Sequence, residues 1–231
     1  MSLSNFSKNS TEAGFTLVEI AIVLVIIGLL LGGVLKGQEM ITQAKIKNIV
    51  NDFNGITVAV TSYQDRYRAI PGDDLNATTR WTVQNPASGN GNGIIAGLYN
   101  ALPGEGAPTS AAESNLFWQH LRIAGFVPGL TTGAGSGTQP TNAAGGMIGV
   151  ESGAPGTNGL GFTSLIVCFA NLPEKVASAV DGQMDDSNPA TGQIRGQLQG
   201  TANPPTASDA GGAATAYVET GVNQYLLCKN L

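Results

Sequence analysis

Residues 14–35 read GFTLVEIAIVLVIIGLLLGGVL, and this stretch decides the architecture. From Ile20 to Leu35, sixteen consecutive residues carry no charge. Counted from Phe15 the run is 21 residues, with Glu19 its only ionisable side chain. At a helical rise of about 1.5 Å per residue the run spans about 31 Å, one hydrocarbon core. The residues before it, MSLSNFSKNSTEAG, are polar, with Lys8 offset by Glu12. A secretory signal peptide fits poorly, because its apolar region is usually about 7–15 residues long and a small-x-small cleavage site follows it. A plain membrane anchor leaves Glu19 unexplained, since a carboxylate in an apolar core is costly without a partner.

The run Gly14-Phe15-Thr16-Leu17-Val18-Glu19-Ile20, followed by the uninterrupted apolar segment, resembles the N-terminus of type IV pilin-like proteins. These include pilins and the pseudopilins of type II secretion. The resemblance covers about the first 40 residues. It implies that residues 1–14 are a leader, removed by a prepilin peptidase that cuts after Gly14. Phe15 would then become the N-methylated terminus, and Glu19 would be retained for assembly. The chemistry suits that role. The cut exposes an α-amino group with a pKa of about 8, largely positive at neutral pH. A carboxylate in a low-dielectric helix bundle needs such a cation. In the family this glutamate pairs with the N-terminus of a neighbouring subunit, so Glu19 is assigned to docking; the alternative is a glutamate that snorkels to the headgroups. Many principal filament subunits carry a proline where Lys36 stands here. Its absence, with Gly32, Gly33 and Gly37 nearby, points away from the principal subunit and toward a minor one.

Beyond the apolar run, Ile46, Ile49, Phe53, Ile56, Val60, Tyr63 and Tyr67 recur at alternating intervals of three and four. That stripe predicts an amphipathic helix, ended at the latest by Pro71-Gly72. One helix from Phe15 to about Tyr67 would be about 80 Å long, too long for the inside of a small domain. The expected organisation is a leader over 1–14, a long helix over 15–67 whose residues 15–35 lie in the membrane or filament core, and a head over 68–231. A short coiled coil is the alternative for the stripe.

The head is turn-rich. Helical spacing of Leu116, Phe117, His120, Leu121 and Ala124 predicts a short helix from near Ser114 to near Gly125, with His120 at the edge of the core. Met147–Val150 reads as a short strand. Thr163–Ala170 and Ala216–Cys228 read as strands or short helices, and a helix is expected near Pro173. Residues 128–160 are otherwise loop-like. The resemblance implies an α+β fold: a pilin-like lollipop, its long helix packed on a small antiparallel-sheet head with long loops.

Composition closes off several functions. The chain has 231 residues, 11 Lys+Arg against 16 Asp+Glu, and a net charge of −5, which does not favour nucleic acid. One histidine and two cysteines leave too few ligands for a zinc site. No Walker loop, G-x-S-x-G or HExxH is present, so no enzyme is expected. Gly91-Asn92-Gly93 follows no strand and reads as a turn, not a dinucleotide fingerprint. Asp73-Asp74 likewise reads as a turn.

Two constellations stay open. Cys168 and Cys228 are either buried thiols or, in the oxidising compartment the resemblance implies, a disulfide like the C-terminal bridges of type IV pilins. The stretch Asp181-Gly-Gln-Met-Asp185-Asp186-Ser-Asn188 is either an Asx-rich turn or a calcium site using Asp181, Asp185, Asp186 and Asn188. Some pseudopilins bind calcium in their heads, but the spacing is not that of an EF-hand. The leading function is a minor pseudopilin or minor pilin of a type II secretion pseudopilus or type IV pilus. Its partners would be like subunits in a homo- or hetero-filament, prepilin peptidase, membrane lipid, and an inner-membrane assembly platform with a separate ATPase. The head would start in the periplasm, anchored by one pass of the bacterial inner membrane. The alternative is a pilin-like binding module whose head recognises a secreted substrate or a surface.

Overall fold

A computed structural model describes residues 14–102, 112–153, 159–199 and 214–231. Residues 1–13 of the expected leader, and part of the loop-like 128–160 stretch, lie outside the described residues. Helix α1 runs from Leu17 to Tyr67. It is long and apolar enough to cross a membrane. The chain divides into two units, Met1–Gln43 and Ala44–Leu231. In the first, every large apolar side chain from Phe15 to Leu35 is exposed. A helix that is apolar all round and uncovered is built for lipid or for other helices.

The second unit begins with the rest of α1, and there the predicted stripe is buried. Ile46, Ile49, Phe53, Ile56, Val60 and Tyr63 all enter the core, with Ala59 between them. Tyr67 is half-buried against the same cluster. Helix α2 (Ala77–Arg80) is a single turn; α3 spans Glu113–Ile123 and α4 spans Glu174–Met184. The four strands are β1 (Ile148–Ser152), β2 (Leu165–Pro173), β3 (Ile194–Leu198) and β4 (Gln224–Asn230). They form one antiparallel sheet in the order β1-β2-β4-β3. This is the α+β arrangement expected: a long apolar N-terminal helix followed by a small antiparallel sheet.

The central strand explains why TSLIVCFA carries no alternation. Val167 and Phe169 face the core shared with α1, where the Phe53 and Phe169 rings stack at 3.9 Å. Ile166, Cys168 and Ala170 face a second cluster with Tyr99, Phe162 and Leu226. A strand covered on both faces reads as a continuous apolar run. Cys168 lies directly opposite Cys228 in the register, and the two form a disulfide.

Three expectations need adjustment. Ala216–Cys228 is a strand only from Gln224, because Ala216–Asn223 is a strap whose backbone bonds to side chains: Tyr225 accepts from the Val218 amide and Glu174 from the Gly221 amide. β3, IRGQL, was not expected, since its arginine and glycine hide any alternation. His120 is not at the core edge; it has no exposed surface.

Candidate functional site

The N-terminal end of α1 is built around Thr16 and Glu19. The Thr16 amide and hydroxyl both donate to Glu19 Oε2, at 2.9 and 2.8 Å. The Glu19 amide donates back to the Thr16 hydroxyl at 3.2 Å. This is a capping box, T-x-x-E, in which two otherwise orphaned helix amides are satisfied reciprocally. The spacing stands openly in the sequence. It gives Glu19 a local partner on one carboxylate oxygen, while Oε1 has none among the described residues. Phe15 is exposed, one residue ahead of the cap. Gly14 has no described atom within 4 Å of where a Cβ would stand. Packing among the described residues therefore gives no reason for glycine at 14.

The acidic stretch comes together at the end of α4. Asp181, Asp185 and Asp186 each bring a carboxylate oxygen within 4.8 Å of the others. Asp181 is fully buried; its Oδ2 accepts from the Tyr217 hydroxyl at 2.7 Å, while its Oδ1 is buried with no donor among the described residues. Asp185 Oδ2 accepts from the Ile194 amide at 2.8 Å. Asp186 is occupied locally, accepting from the Asn188 amide and the Thr191 hydroxyl. Asn188 accepts from the Ala190 amide, so its oxygen serves an Asx turn. Burial raises the Asp181 pKa above the usual aspartate value. The charges of Asp186 and Asp185 add to that shift, and the Tyr217 and Ser187 hydrogen bonds oppose it. A buried anion beside two more carboxylates, with one oxygen lacking a donor, is a donor set that suits a hard divalent cation.

The Asp73-Asp74 turn belongs to a third arrangement. Asp73 accepts three loop amides, from Gly91 and Asn92 on Oδ1 and from Gly93 on Oδ2. Glu113, at the start of α3, accepts from Asn90 and Ala96 at the two ends of the same loop. Two carboxylates thus hold the GNGNG segment by its backbone, and the Asn90 and Asn92 side chains brace it from within by accepting from the Asn92 and Ile94 amides. Asp74 accepts from the Tyr63 hydroxyl at 2.7 Å and pairs with Arg80. His120 closes the assembly. Its Nδ1 accepts from the Gly72 amide at 3.0 Å, and its Nε2 faces the Ala87 carbonyl at 2.9 Å. The ring is therefore neutral with the proton on Nε2, and burial holds its pKa below the usual value. Gly72, at φ 91°, could carry no side chain, because a Cβ would stand 2.6 Å from the Glu113 carbonyl oxygen. The Asp73, Glu113 and His120 partners lie 17–48 residues apart, beyond the reach of local pattern. They organise the head and present no reactive group.

Residues 9–35 match the family model described as the prokaryotic N-terminal methylation motif. The matched segment contains Gly14, Phe15, Glu19 and the whole apolar run. It supports a type IV pilin-like or pseudopilin identity, and with it membrane anchoring, processing by prepilin peptidase and assembly with other pilin subunits. That family is one of structural subunits. No curated protein matches the chain.

Proposed function

We propose that this chain is a minor pseudopilin or minor pilin, a structural subunit of a type II secretion pseudopilus or type IV pilus. The observation that carries the reading is the match over residues 9–35, which falls on an exposed apolar helix headed by a Thr16–Glu19 cap. The precursor enters the inner membrane through residues 15–35 with its head in the periplasm. Prepilin peptidase cuts between Gly14 and Phe15, and Phe15 is N-methylated. The new terminus is one residue from the cap. Glu19 Oε1 is then available to the ammonium group of a neighbouring subunit, and the pairing removes an unmatched charge from the apolar bundle. Assembly buries the exposed apolar side chains of α1, and a separate ATPase supplies the work. The head is not an enzyme. Asp181, Asp185 and Asp186 hold a calcium ion there, supported by the buried Asp181 oxygen that lacks a donor.

The test is Glu19→Ala in cells that process and assemble the wild-type chain. The variant is expected to lose the leader normally and to remain in the membrane, with its amount in sheared filaments down at least about tenfold. Normal incorporation of the cleaved variant would remove Glu19 from docking.

A further inference from the structure

His120 is the only histidine in the chain, and both of its ring nitrogens are committed. Nδ1 accepts from the Gly72 amide at 3.0 Å, and Nε2 donates to the Ala87 carbonyl at 2.9 Å. A backbone amide can only donate, so the Gly72 bond exists only while Nδ1 carries no proton. Protonation would set two N–H groups against each other. The ring has no exposed surface, so in the closed head its charged form meets no water. Its neighbours do little to offset this. Tyr63 of α1 stacks on it with ring centroids 6.4 Å apart, and the Trp81 ring lies at 6.1 Å. Asp74 favours the proton and Arg80 opposes it, and these two are paired with each other. On α3 itself, Glu113 is bonded to loop amides and Arg122 to the carbonyls of Pro128, Ser136 and Thr138.

The segment that covers the ring has little apolar anchorage. Residues 71–97 contain the single helical turn α2 and no strand. Ile95 is buried and Trp81 half-buried, while Leu75, Val83 and Ile94 are exposed. Two side chains of α3 grip the segment. Glu113 takes the Asn90 and Ala96 amides, and His120 takes the Gly72 amide and the Ala87 carbonyl. They stand two helical turns apart on one face of α3. A segment held in this way opens at a lower cost than the packed core beneath it.

We propose that His120 is an acid-sensitive latch: a proton taken up on Nδ1 breaks the Gly72 bond and releases residues 71–97 from α3 while the sheet stays folded. The inference rests on the fold of the head and not on the filament reading. The closed head resists the proton and the open one does not. Closure is therefore fully stabilised above an ordinary histidine pKa of about 6.5, and it weakens as pH falls from there toward the lower value of the closed head. Release also frees the Glu113 carboxylate from the two loop amides that now occupy it.

The experiment uses the full chain, purified in detergent. Amide hydrogen exchange is followed at about pH 7.5 and about pH 5, a range in which histidine is the side chain whose ordinary pKa changes its charge. Each rate is divided by the intrinsic rate at its pH. Protection of the Gly72, Asn90 and Ala96 amides is expected to fall at least about fivefold at the lower pH, since one proton of linkage allows up to about tenfold per pH unit. The β2 and β4 amides are expected to keep theirs. In His120→Gln one planar amide supplies an acceptor and a donor but takes no proton in this range, so the fall should be absent. Should that variant fail to fold, the wild-type chain decides through the magnetic resonance of its one histidine ring, which is expected to stay neutral at about pH 6.5. An unchanged loop in the wild-type chain, an equal fall in His120→Gln, loss of protection in β2 and β4 together with the loop, or a ring that titrates at or above about pH 6.5 would each overturn the latch.

Discussion

Asp181 Oδ1 is a buried carboxylate oxygen with no donor among the described residues, on a residue that already shares its surroundings with Asp185 and Asp186. Its raised pKa means that, without a cation, folding disfavours the ionised carboxylate relative to the unfolded chain. The stability contributed by that group is full below the unfolded aspartate pKa of about 3.9 and is lost as pH rises through the higher folded value. A calcium ion reverses the balance, because it binds the ionised form. Calcium is therefore expected to raise the melting temperature of the protein at neutral pH and to do so less as pH falls toward the aspartate range. Asp181→Asn should abolish the calcium-dependent rise. Equal melting curves with calcium and with chelator at neutral pH would contradict the site. At this scale the sequence displayed the carboxylates but not their surroundings. Tyr217, which orients Asp181, lies 36 residues away, and nothing in the acidic stretch points to it. The T-x-x-E cap at Thr16 and Glu19, by contrast, is visible in four consecutive letters.

Helix α3 shows what periodicity reveals and what it leaves out. The spacing of Leu116, Phe117, His120 and Leu121 located the helix within a residue or two. It did not show that His120 is a cross-brace. The ring ties the Gly72 turn to the Ala87 segment, and its loss would leave a buried amide and a carbonyl without partners. His120→Ala should therefore lower unfolding free energy by about 3 kcal/mol, combining two unsatisfied groups of about 1–3 kcal/mol each with partial relief from water. Denaturant titration of the processed protein checks this, and a loss below about 0.5 kcal/mol would contradict the brace. The same limit explains β3. Strand β2 was legible because burial on both faces leaves an unbroken apolar run, whereas β3 sets Arg195 and Gln197 on either side of Gly196 and keeps only Ile194 and Leu198 as large apolar residues. Its pairing is fixed by β4, which no local window contains.

At the scale of the molecule, each of the two units satisfies a different requirement. The larger unit closes its core with the second half of α1, three shorter helices and a four-stranded sheet pinned by the Cys168–Cys228 bridge. The N-terminal unit leaves its apolar surface uncovered, which a lone chain in water does not tolerate. Length, charge and hydropathy alone were enough to expose that contrast, because a bilayer imposes its thickness on any segment that enters it. The pairing of the cysteines was not decidable from the sequence, since it depends on strands brought side by side from 60 positions apart. The filament reading rests on the chain being cut and modified at one bond. The most direct measurement is the intact mass of the protein extracted from its native membranes. The account predicts a chain that begins at Phe15, carries one added methyl group and retains the Cys168–Cys228 bridge. A chain that keeps residues 1–14 in cells with active prepilin peptidase would contradict it.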